Sequence, residues 1–176
     1  MNLSQTETIA LLRHSDAATW LDAAALPRLG LSPALLGWLT EPGSLTERLR
    51  ARHGAVAVEV LAEGVRTEPS AEAAAPYWER CVQLVAAGRP RLAARSRIPA
   101  WAPDHPWQPV QQLGTRPLGE VLFALDGVER GPLQFAQLPA PAAAEAQLGA
   151  VVMARRCTYR RQGATLVLTE VFLDTD

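Results

Sequence analysis

The sequence contains no lysine: all 17 of its basic residues are arginines. The absence of lysine excludes Schiff-base chemistry on a lysine amine and the phosphate-binding lysine of a P-loop. The sequence also has no Gly-rich phosphate loop, no nucleophile elbow and no zinc-type Cys/His spacing, so we expect no metal site. Cys81 and Cys157 are expected to be buried, reduced thiols. The isolated residues His14, His53 and His105 are expected on the surface.

Long apolar runs are missing too. No stretch of about 18 consecutive apolar residues is present, so we expect no membrane insertion. The first twelve residues have no basic segment followed by an apolar one, as a secretion signal would, and we expect a cytoplasmic protein. The net charge is −1, which favours neither nucleic acid nor an anionic membrane as a partner. We expect a monomer that binds small molecules.

The chain has the size and composition of one domain. Its 176 residues are 48% hydrophobic, enough for a single sizeable core. Residues 1–30 are weakly patterned, which predicts a loosely attached arm or short helix, and residues 31–176 are expected to form the domain. Helix starts are predicted at Ser32-Pro33, at the capping box Ser44–Glu47 and at Pro117. Residues 126–150 are interrupted by glycine and proline and are expected to be strand or loop.

Side chains that alternate between an apolar and a more polar side predict strands at 55–63, 77–86, 91–98, 151–161 and 165–173. A hairpin turn is predicted at Gln162-Gly163. Because hairpins outnumber helical crossovers, we predict a mainly antiparallel sheet with helices on one side, an α+β fold. In the third of these strands Arg91, Arg95 and Arg97 are expected to face outward. The pairs Arg155-Arg156 and Arg160-Arg161 fit an anion site, but a solvated strand edge is favoured.

Two strands each carry a charge on the side that should be apolar. Arg80 shares a face with Trp78, Val82 and Leu84, and Glu170 lies among apolar residues of the last strand in the same way. An unpaired charge in an apolar interior costs several kcal/mol, so both side chains need partners. They are either partners of each other, as in a structural ion pair, or partners of a polar, anionic ligand.

Two helix starts favour the ligand. Leu45 and Leu118 are predicted in the first turn of their helices, where backbone N–H groups lack intrahelical partners and the helix dipole favours negative charge. One arginine and two such helix ends around a cavity would suit a small dianion. Glu170 would then accept a hydrogen bond from a hydroxyl group of that ligand.

These segments resemble the chorismate pyruvate-lyase family, which makes 4-hydroxybenzoate for ubiquinone biosynthesis. The resemblance runs in order from about residue 35 to the C-terminus. Its most specific blocks are Pro117-Leu118-Gly119 and Leu168-Thr169-Glu170-Val171-Phe172-Leu173. The family is also matched by the segments Trp38-Leu39-Thr40-Glu41-Pro42-Gly43-Ser44-Leu45-Thr46, Tyr77-Trp78-Glu79-Arg80, Leu92-Ala93-Ala94-Arg95 and Ala154-Arg155-Arg156.

The resemblance implies a six-stranded antiparallel sheet with helices on one face and a buried site closed by flaps, one of them at about residues 41–49. It implies that a cofactor-independent lyase converts chorismate to 4-hydroxybenzoate and pyruvate. Arg80 would hold a substrate carboxylate, the backbones of Leu45 and Leu118 would contact the ligand, and Glu170 would lie near the ring hydroxyl. The same fold family includes effector-binding domains of transcription regulators, so a binding module without catalysis is the alternative.

Overall fold

One antiparallel sheet forms the centre of the molecule. A computed structural model describes residues 3–67, 75–141, 149 and 151–174. Within these ranges seven strands join in the order β1-β2-β3-β7-β6-β4, and β5 also pairs with β6. The strands are β1 (Val56–Arg66), β2 (Tyr77–Ala86), β3 (Arg89–Ile98), β4 (Val128–Arg130), β5 (Gln134–Pro139), β6 (Val151–Arg161) and β7 (Ala164–Phe172). The predicted α+β class and antiparallel sheet are confirmed, with seven strands rather than about six.

Two tight hairpins set the register of the central strands. Ala87 and Gly88 between β2 and β3, and Gln162 and Gly163 between β6 and β7, all have positive φ angles. Two-residue turns of this backbone shape match the natural twist of paired strands. The turn predicted at Gln162-Gly163 is confirmed, whereas β3 begins at Arg89, two residues before its predicted start, because the turn before it is short.

Strand β1 is longer and less regular than its alternation predicts. It continues to Arg66, and its pairing with β2 shifts between Val60 and Ala62. Such a bulge breaks the alternation of side chains. Val60 is consequently 39% exposed, although the sequence pattern placed it beside the buried Val58. The polar segment that follows falls largely on residues 68–74, outside the described ranges.

Four α-helices are described: α1 (Gln5–His14), α2 (Pro33–Leu39), α3 (Leu45–His53) and α4 (Leu118–Ala124). The hydroxyl groups of Ser32 and Ser44 accept hydrogen bonds from the N–H groups of Leu35 and Glu47, as predicted for N-caps. Gly54, with a φ angle of +82°, ends α3. In the described part of the chain, each helix is too short or too polar to cross a membrane.

The sheet face that carries Arg80, Val82 and Glu170, here called the front face, is covered by three helices. Strand pairing aligns Val82 with Ala94, and Ala94 with Glu170, on this side of β2, β3 and β7. One apolar cluster joins these strands to α2 and α3. A second, which contains Leu118 and Leu122, joins α4 to the far end of the sheet. The charged residues of the front face therefore lie between two apolar clusters, one formed with α2 and α3 and the other with α4.

The opposite face, here called the back face, is covered by α1. Leu11 and Leu12 are 0% exposed and pack in one cluster with Cys81, Ala93 and Val171. Of the two alternatives for residues 1–30, the short helix is therefore confirmed and the loosely attached arm is wrong. Helices lie on both sides of the sheet rather than on one. The division of the chain at residue 30 stays a prediction.

Two arginines of β3 are buried where solvent exposure was expected. Arg95 donates to Glu79 at 2.7 Å and to Asp16 at 2.7 Å, and Arg91 lies 3.0 Å from Asp174. Both arginines are buried, so their expected outward, solvated position is wrong. Arg95 points to the back face, where α1 and the turn after it cover it. Arg91 lies at a register shift between β2 and β3 and lines a pocket with Trp38 and Leu45 on the front side, so alternation placed it on the wrong face.

The segment 126–150 contains two of the strands. Val128–Arg130 and Gln134–Pro139 form β4 and β5, which both pair with β6. The Ala-rich part at 142–148 and residue 150 lie outside the described residues. Because β4, β5 and β7 all pair with β6, the strand with the paired arginines is interior to the sheet. The expectation that these arginines mark a strand edge is wrong.

Candidate functional site

A cavity lies between the front face of the sheet and the first turns of α3 and α4. It leaves about 60 Å³ for the centres of water-sized molecules, several times what one buried water needs. It therefore has room for a small organic molecule. Its wall combines apolar side chains with a few polar and charged ones, including Arg80, Val82, Leu84, Ser96, Arg155, Tyr159, Leu168 and Glu170.

All four predicted site residues line this one cavity. Arg80 and Glu170 reach it from the sheet, and Leu45 and Leu118 reach it from the starts of the two helices. Each helix start positions a first-turn backbone whose N–H groups have no intrahelical acceptor. The structure thus brings together in space the residues that the sequence separates by more than 120 positions.

Arg80 is held rigidly at one end of the cavity. Its side chain is 1% exposed, and its Nε lies 3.3 Å from Oε2 of Glu63, the residue opposite it on β1. Its Nη2 donates to the carbonyl oxygens of Gly114 at 2.7 Å and Arg116 at 3.3 Å. Burial lowers the pKa of Arg80, and the charge of Glu63 opposes that shift. These contacts with protein groups fix the orientation of the guanidinium.

Glu170 lies at the other end and is paired with Arg155. The Nε of Arg155 donates to Oε2 of Glu170 at 2.7 Å. Arg155 is 2% exposed and lies directly opposite Glu170 in the β6–β7 pair. The charge of Glu170 is thus compensated inside the protein, and an arginine expected on a solvated edge is part of the cavity wall.

Arg80 and Glu170 do not bind each other. Arg80 pairs across the sheet with Ser96, and Glu170 pairs with Ala94, so strand β3 lies between them. Neighbouring strands are about 4.8 Å apart, so the two residues sit on strands separated by roughly 10 Å. The interpretation of these charges as a direct structural ion pair is wrong. The gap between them is where the cavity lies.

Tyr159 adds a hydroxyl group to the same wall. Burial raises its pKa to about 12, while the charge of Arg130 opposes that shift. The phenol therefore remains protonated at neutral pH and can donate a hydrogen bond into the cavity.

Arg155 and Tyr159 were not predicted as site residues, although the sequence carries a signal for Arg155. A two-residue turn at Gln162-Gly163 pairs Arg161 with Ala164, and counting back along both strands places Arg155 opposite Glu170. The same count places Tyr159 opposite Leu166, on the apolar side of the hairpin. The charge of the pair Arg155-Arg156 alone favours a solvated edge, whereas the register that the predicted turn implies places Arg155 beside Glu170.

The histidines and cysteines lie outside the cavity wall. His105 is buried rather than on the surface: its ring stacks on Trp101 at 5.1 Å, and its Nδ1 accepts from the N–H of Trp107 at 3.2 Å. Cys81 and Cys157 are free and buried, as predicted. Burial raises the pKa of Cys81 to about 12, so it is a packing residue rather than a nucleophile.

A groove between α3 and α4 leads from the cavity toward solvent. It shares Ser44, Thr46, Pro117 and Gly119 with the cavity wall. Arg50 and Glu120, on its rim, approach each other to 3.5 Å and are both largely exposed. The path between solvent and the cavity therefore runs between the first turns of these two helices, which line both.

Comparison with known proteins gives a consistent set of relatives. The family model described as "Chorismate lyase" matches residues 14–176. A probable chorismate pyruvate-lyase of Aromatoleum aromaticum is 40% identical over 179 residues, covering 92% of this chain and 94% of that protein. One from Hydrogenovibrio crunogenus is 33% identical and covers 98% of both chains. The chorismate pyruvate-lyase of Erwinia tasmaniensis is 37% identical, covering 81% of this chain and 80% of that protein.

Solved structures with this fold are more distant in sequence. PhnF from Mycobacterium smegmatis superposes with a TM-score of 0.52 at 16% identity, covering 76% of this chain and 65% of that one. The effector domain of the same protein gives a TM-score of 0.50 at 16% identity, covering 74% of this chain and 88% of that one. At this identity the likeness shows the fold alone.

Proposed function

The chain belongs to the chorismate lyase family, and from that premise we propose that it cleaves chorismate into 4-hydroxybenzoate and pyruvate. The observation that carries the proposal is the single cavity with a buried arginine at one end and a buried glutamate at the other. Its wall also includes the two helix starts where ligand contacts of the family fall. We propose that the 4-hydroxybenzoate enters ubiquinone synthesis.

The proposed reaction is an elimination without net oxidation or reduction. The ether bond between the ring and the enolpyruvyl group breaks, and the ring carbon that carries the hydroxyl loses its hydrogen as a proton. The enolpyruvyl group gains one hydrogen and leaves as pyruvate. The ring becomes aromatic, and this supplies the driving force, so the reaction needs no redox cofactor. The main tasks left to the protein are to position the substrate and to stabilise moving charge.

In the proposed roles, Arg80 binds one carboxylate of the substrate. Its hydrogen bonds to the carbonyl groups of Gly114 and Arg116 hold the guanidinium in place. This limits the side-chain conformational entropy that is lost when the substrate binds. The backbone N–H groups of Leu45 and Leu118 hold other substrate oxygens. Glu170 accepts a hydrogen bond from the ring hydroxyl, and the same carboxylate also serves as general base.

The decisive test is turnover of chorismate by the purified protein. Ultraviolet absorbance should show 4-hydroxybenzoate formation, and an assay for pyruvate should give an equal amount. Arg80→Ala should weaken product binding roughly 100-fold or more, because removal of one partner of a buried charged pair costs about 3–5 kcal/mol. Glu170→Gln should keep the shape of the site and lower turnover. Product binding can be followed by tryptophan fluorescence, since Trp78 neighbours Arg80 in β2.

Arg160→Ala is the matched control, because Arg160 is an exposed arginine on β6 outside the cavity wall. It should retain wild-type turnover and product affinity. Circular dichroism should show that each variant is folded. Normal turnover by both Arg80→Ala and Glu170→Gln would refute the proposed roles. Tight binding of 4-hydroxybenzoate without turnover of chorismate would instead indicate an effector-binding module.

A further inference from the structure

Arg155 connects two parts of the cavity wall that are far apart in the sequence. Besides Glu170, it binds the connection between α2 and α3, here called the α2–α3 turn (residues 39–44). Its Nη1 donates to the carbonyl oxygens of Glu41 at 2.8 Å and Leu39 at 3.3 Å. One planar guanidinium therefore bonds Glu170 through Nε and the α2–α3 turn through Nη1.

The α2–α3 turn determines where α3 begins. The turn ends at Ser44, which caps α3, and Gly43, Ser44 and Leu45 all line the cavity. Movement of the turn would therefore move the first-turn N–H groups proposed to face the substrate.

Other arginines bind the same turn, but from its outer side. Arg48 bonds the Glu41 carboxylate at 2.9 Å with its side chain 34% exposed, and the exposed Arg130 bonds the carbonyl of Pro42. Among the described residues, Arg155 is the buried arginine that binds both the turn and a predicted site residue.

An arginine suits this place for a geometric reason. The guanidinium is rigid and presents donors along different edges, so it can hold a carboxylate and two carbonyl groups at once. A lysine has one terminal nitrogen on a flexible stem and cannot keep both sets of contacts with the same geometry. Hydrogen bonds to charged groups contribute more than neutral ones, so the Glu170 contact helps to fix the orientation with which Nη1 reaches the turn.

We propose that Arg155 is a positioning residue that couples Glu170 to the α2–α3 turn. Binding of a guest beside Glu170 and closure of the turn over that guest then favour each other, because coupling between two sites is reciprocal. The identity of the guest rests on the proposed lyase function, whereas the coupling is a property of the protein alone.

Hydrogen exchange measured by mass spectrometry tests the coupling without substrate. In the ligand-free protein, Arg155→Lys should speed hydrogen exchange of the amides in residues 40–45 about tenfold, because the bonds from Nη1 to the carbonyls of the turn are lost. A tenfold change corresponds to about 1.4 kcal/mol. Glu170→Gln should speed hydrogen exchange of the same amides several-fold, because loss of the Glu170 carboxylate loosens Arg155. Glu170 itself contacts the turn only through Arg155. In the wild type, added 4-hydroxybenzoate should slow exchange of these amides. In both variants the ligand should slow their exchange less than it does in the wild type.

Arg156→Lys is the matched control. Arg156 is the next residue of β6, but its Nε donates to Gln134 at 2.8 Å and its guanidinium lies over the ring of Trp20. Exchange of residues 40–45 should match the wild type in this variant. Unchanged exchange in Glu170→Gln would overturn the coupling, even if Arg155→Lys loosens the turn. If Arg155→Lys does not fold, the nearly isosteric Glu170→Gln decides alone.

Kinetics separate this proposal from the proposed reaction. With chorismate, Arg155→Lys should lower the single-turnover rate constant for formation of 4-hydroxybenzoate, and stopped-flow fluorescence should show a higher rate constant for its dissociation. A role in stability alone would leave both constants unchanged per folded molecule, and that result would overturn the proposal. A wild-type protein that does not turn over chorismate would refute the lyase function. The exchange experiment on ligand-free protein would still decide the coupling.

Discussion

At the scale of residues, the cavity depends on buried charges that each have a compensating partner. Arg80 lies beside Glu63, and Glu170 is bonded to Arg155. Each buried charge is therefore compensated by a partner within the protein, which offsets part of its desolvation cost. The remaining wall is largely apolar, which strengthens electrostatic contacts with any guest.

The thiol of Cys81 should be inert in the folded protein. Its pKa is raised to about 12, chiefly by burial and then by the charge of Glu79, so almost no thiolate exists at pH 8. In a Cys157→Ser variant, a disulfide-exchange reagent at pH 8 should release no thiol signal until denaturant is added. Rapid reaction of one thiol in the native state would contradict this prediction.

At the scale of elements, α1 is attached to the sheet by apolar contacts and by a buried carboxylate. Glu79 is 0% exposed and accepts hydrogen bonds from Arg13 of α1 at 2.6 Å and from Arg95 at 2.7 Å. Burial favours the protonated form of Glu79. The hydrogen bond from Arg13 and the charges of Arg95 and Arg13 outweigh that effect and hold its pKa below the ordinary value.

Glu79→Gln should lower the free energy of unfolding at pH 7 by about 3 kcal/mol, because buried arginine charge loses its partner. A folded-state pKa below that of the unfolded chain gives stability that is present above the ordinary value of 4.5 and is lost as pH falls below it. The difference between wild type and Glu79→Gln, measured by urea unfolding, should therefore shrink between pH 5 and pH 3. A difference independent of pH would contradict the role of the ionised carboxylate.

Asp16→Asn is the control for this experiment. Asp16 also accepts from Arg95, at 2.7 Å, but its side chain is 49% exposed. Exposed ion pairs contribute roughly 0–1 kcal/mol, so Asp16→Asn should destabilise the protein much less than Glu79→Gln.

At the scale of the whole molecule, the site is enclosed by elements from distant parts of the chain. The sheet forms its floor, and the starts of α3 and α4 stand between it and solvent. A guest that enters or leaves between these helices must displace part of that wall. Such opening steps often limit turnover in enzymes with enclosed sites.

Release of 4-hydroxybenzoate should therefore limit the proposed reaction. Rapid mixing with excess chorismate should give a burst of 4-hydroxybenzoate equal to about one molecule per site, followed by a slower steady rate. The steady rate should match the dissociation rate of 4-hydroxybenzoate measured separately. Linear product formation from the first turnover would show that chemistry, rather than release, is slow.

Local signals predicted much of the fold and part of the cavity. The serine caps of α2 and α3, the glycine at the end of α3 and the turn at Gln162-Gly163 were readable because each depends on a few neighbouring residues. Alternation along β2 and β7 likewise placed Arg80 and Glu170 on an apolar face. These signals depend on short-range geometry, and the resemblance to a family linked them into one site.

The sequence by itself determined which side of each strand a residue occupies and where most helices begin. Only the tertiary structure decided which strands are neighbours and what covers each face. It put β3 between Arg80 and Glu170, put Arg155 inside the sheet and laid α1 over Arg95, which alternation alone would place at the surface. Strand order and helix docking are set by contacts between distant segments, and no local pattern of residues records those contacts.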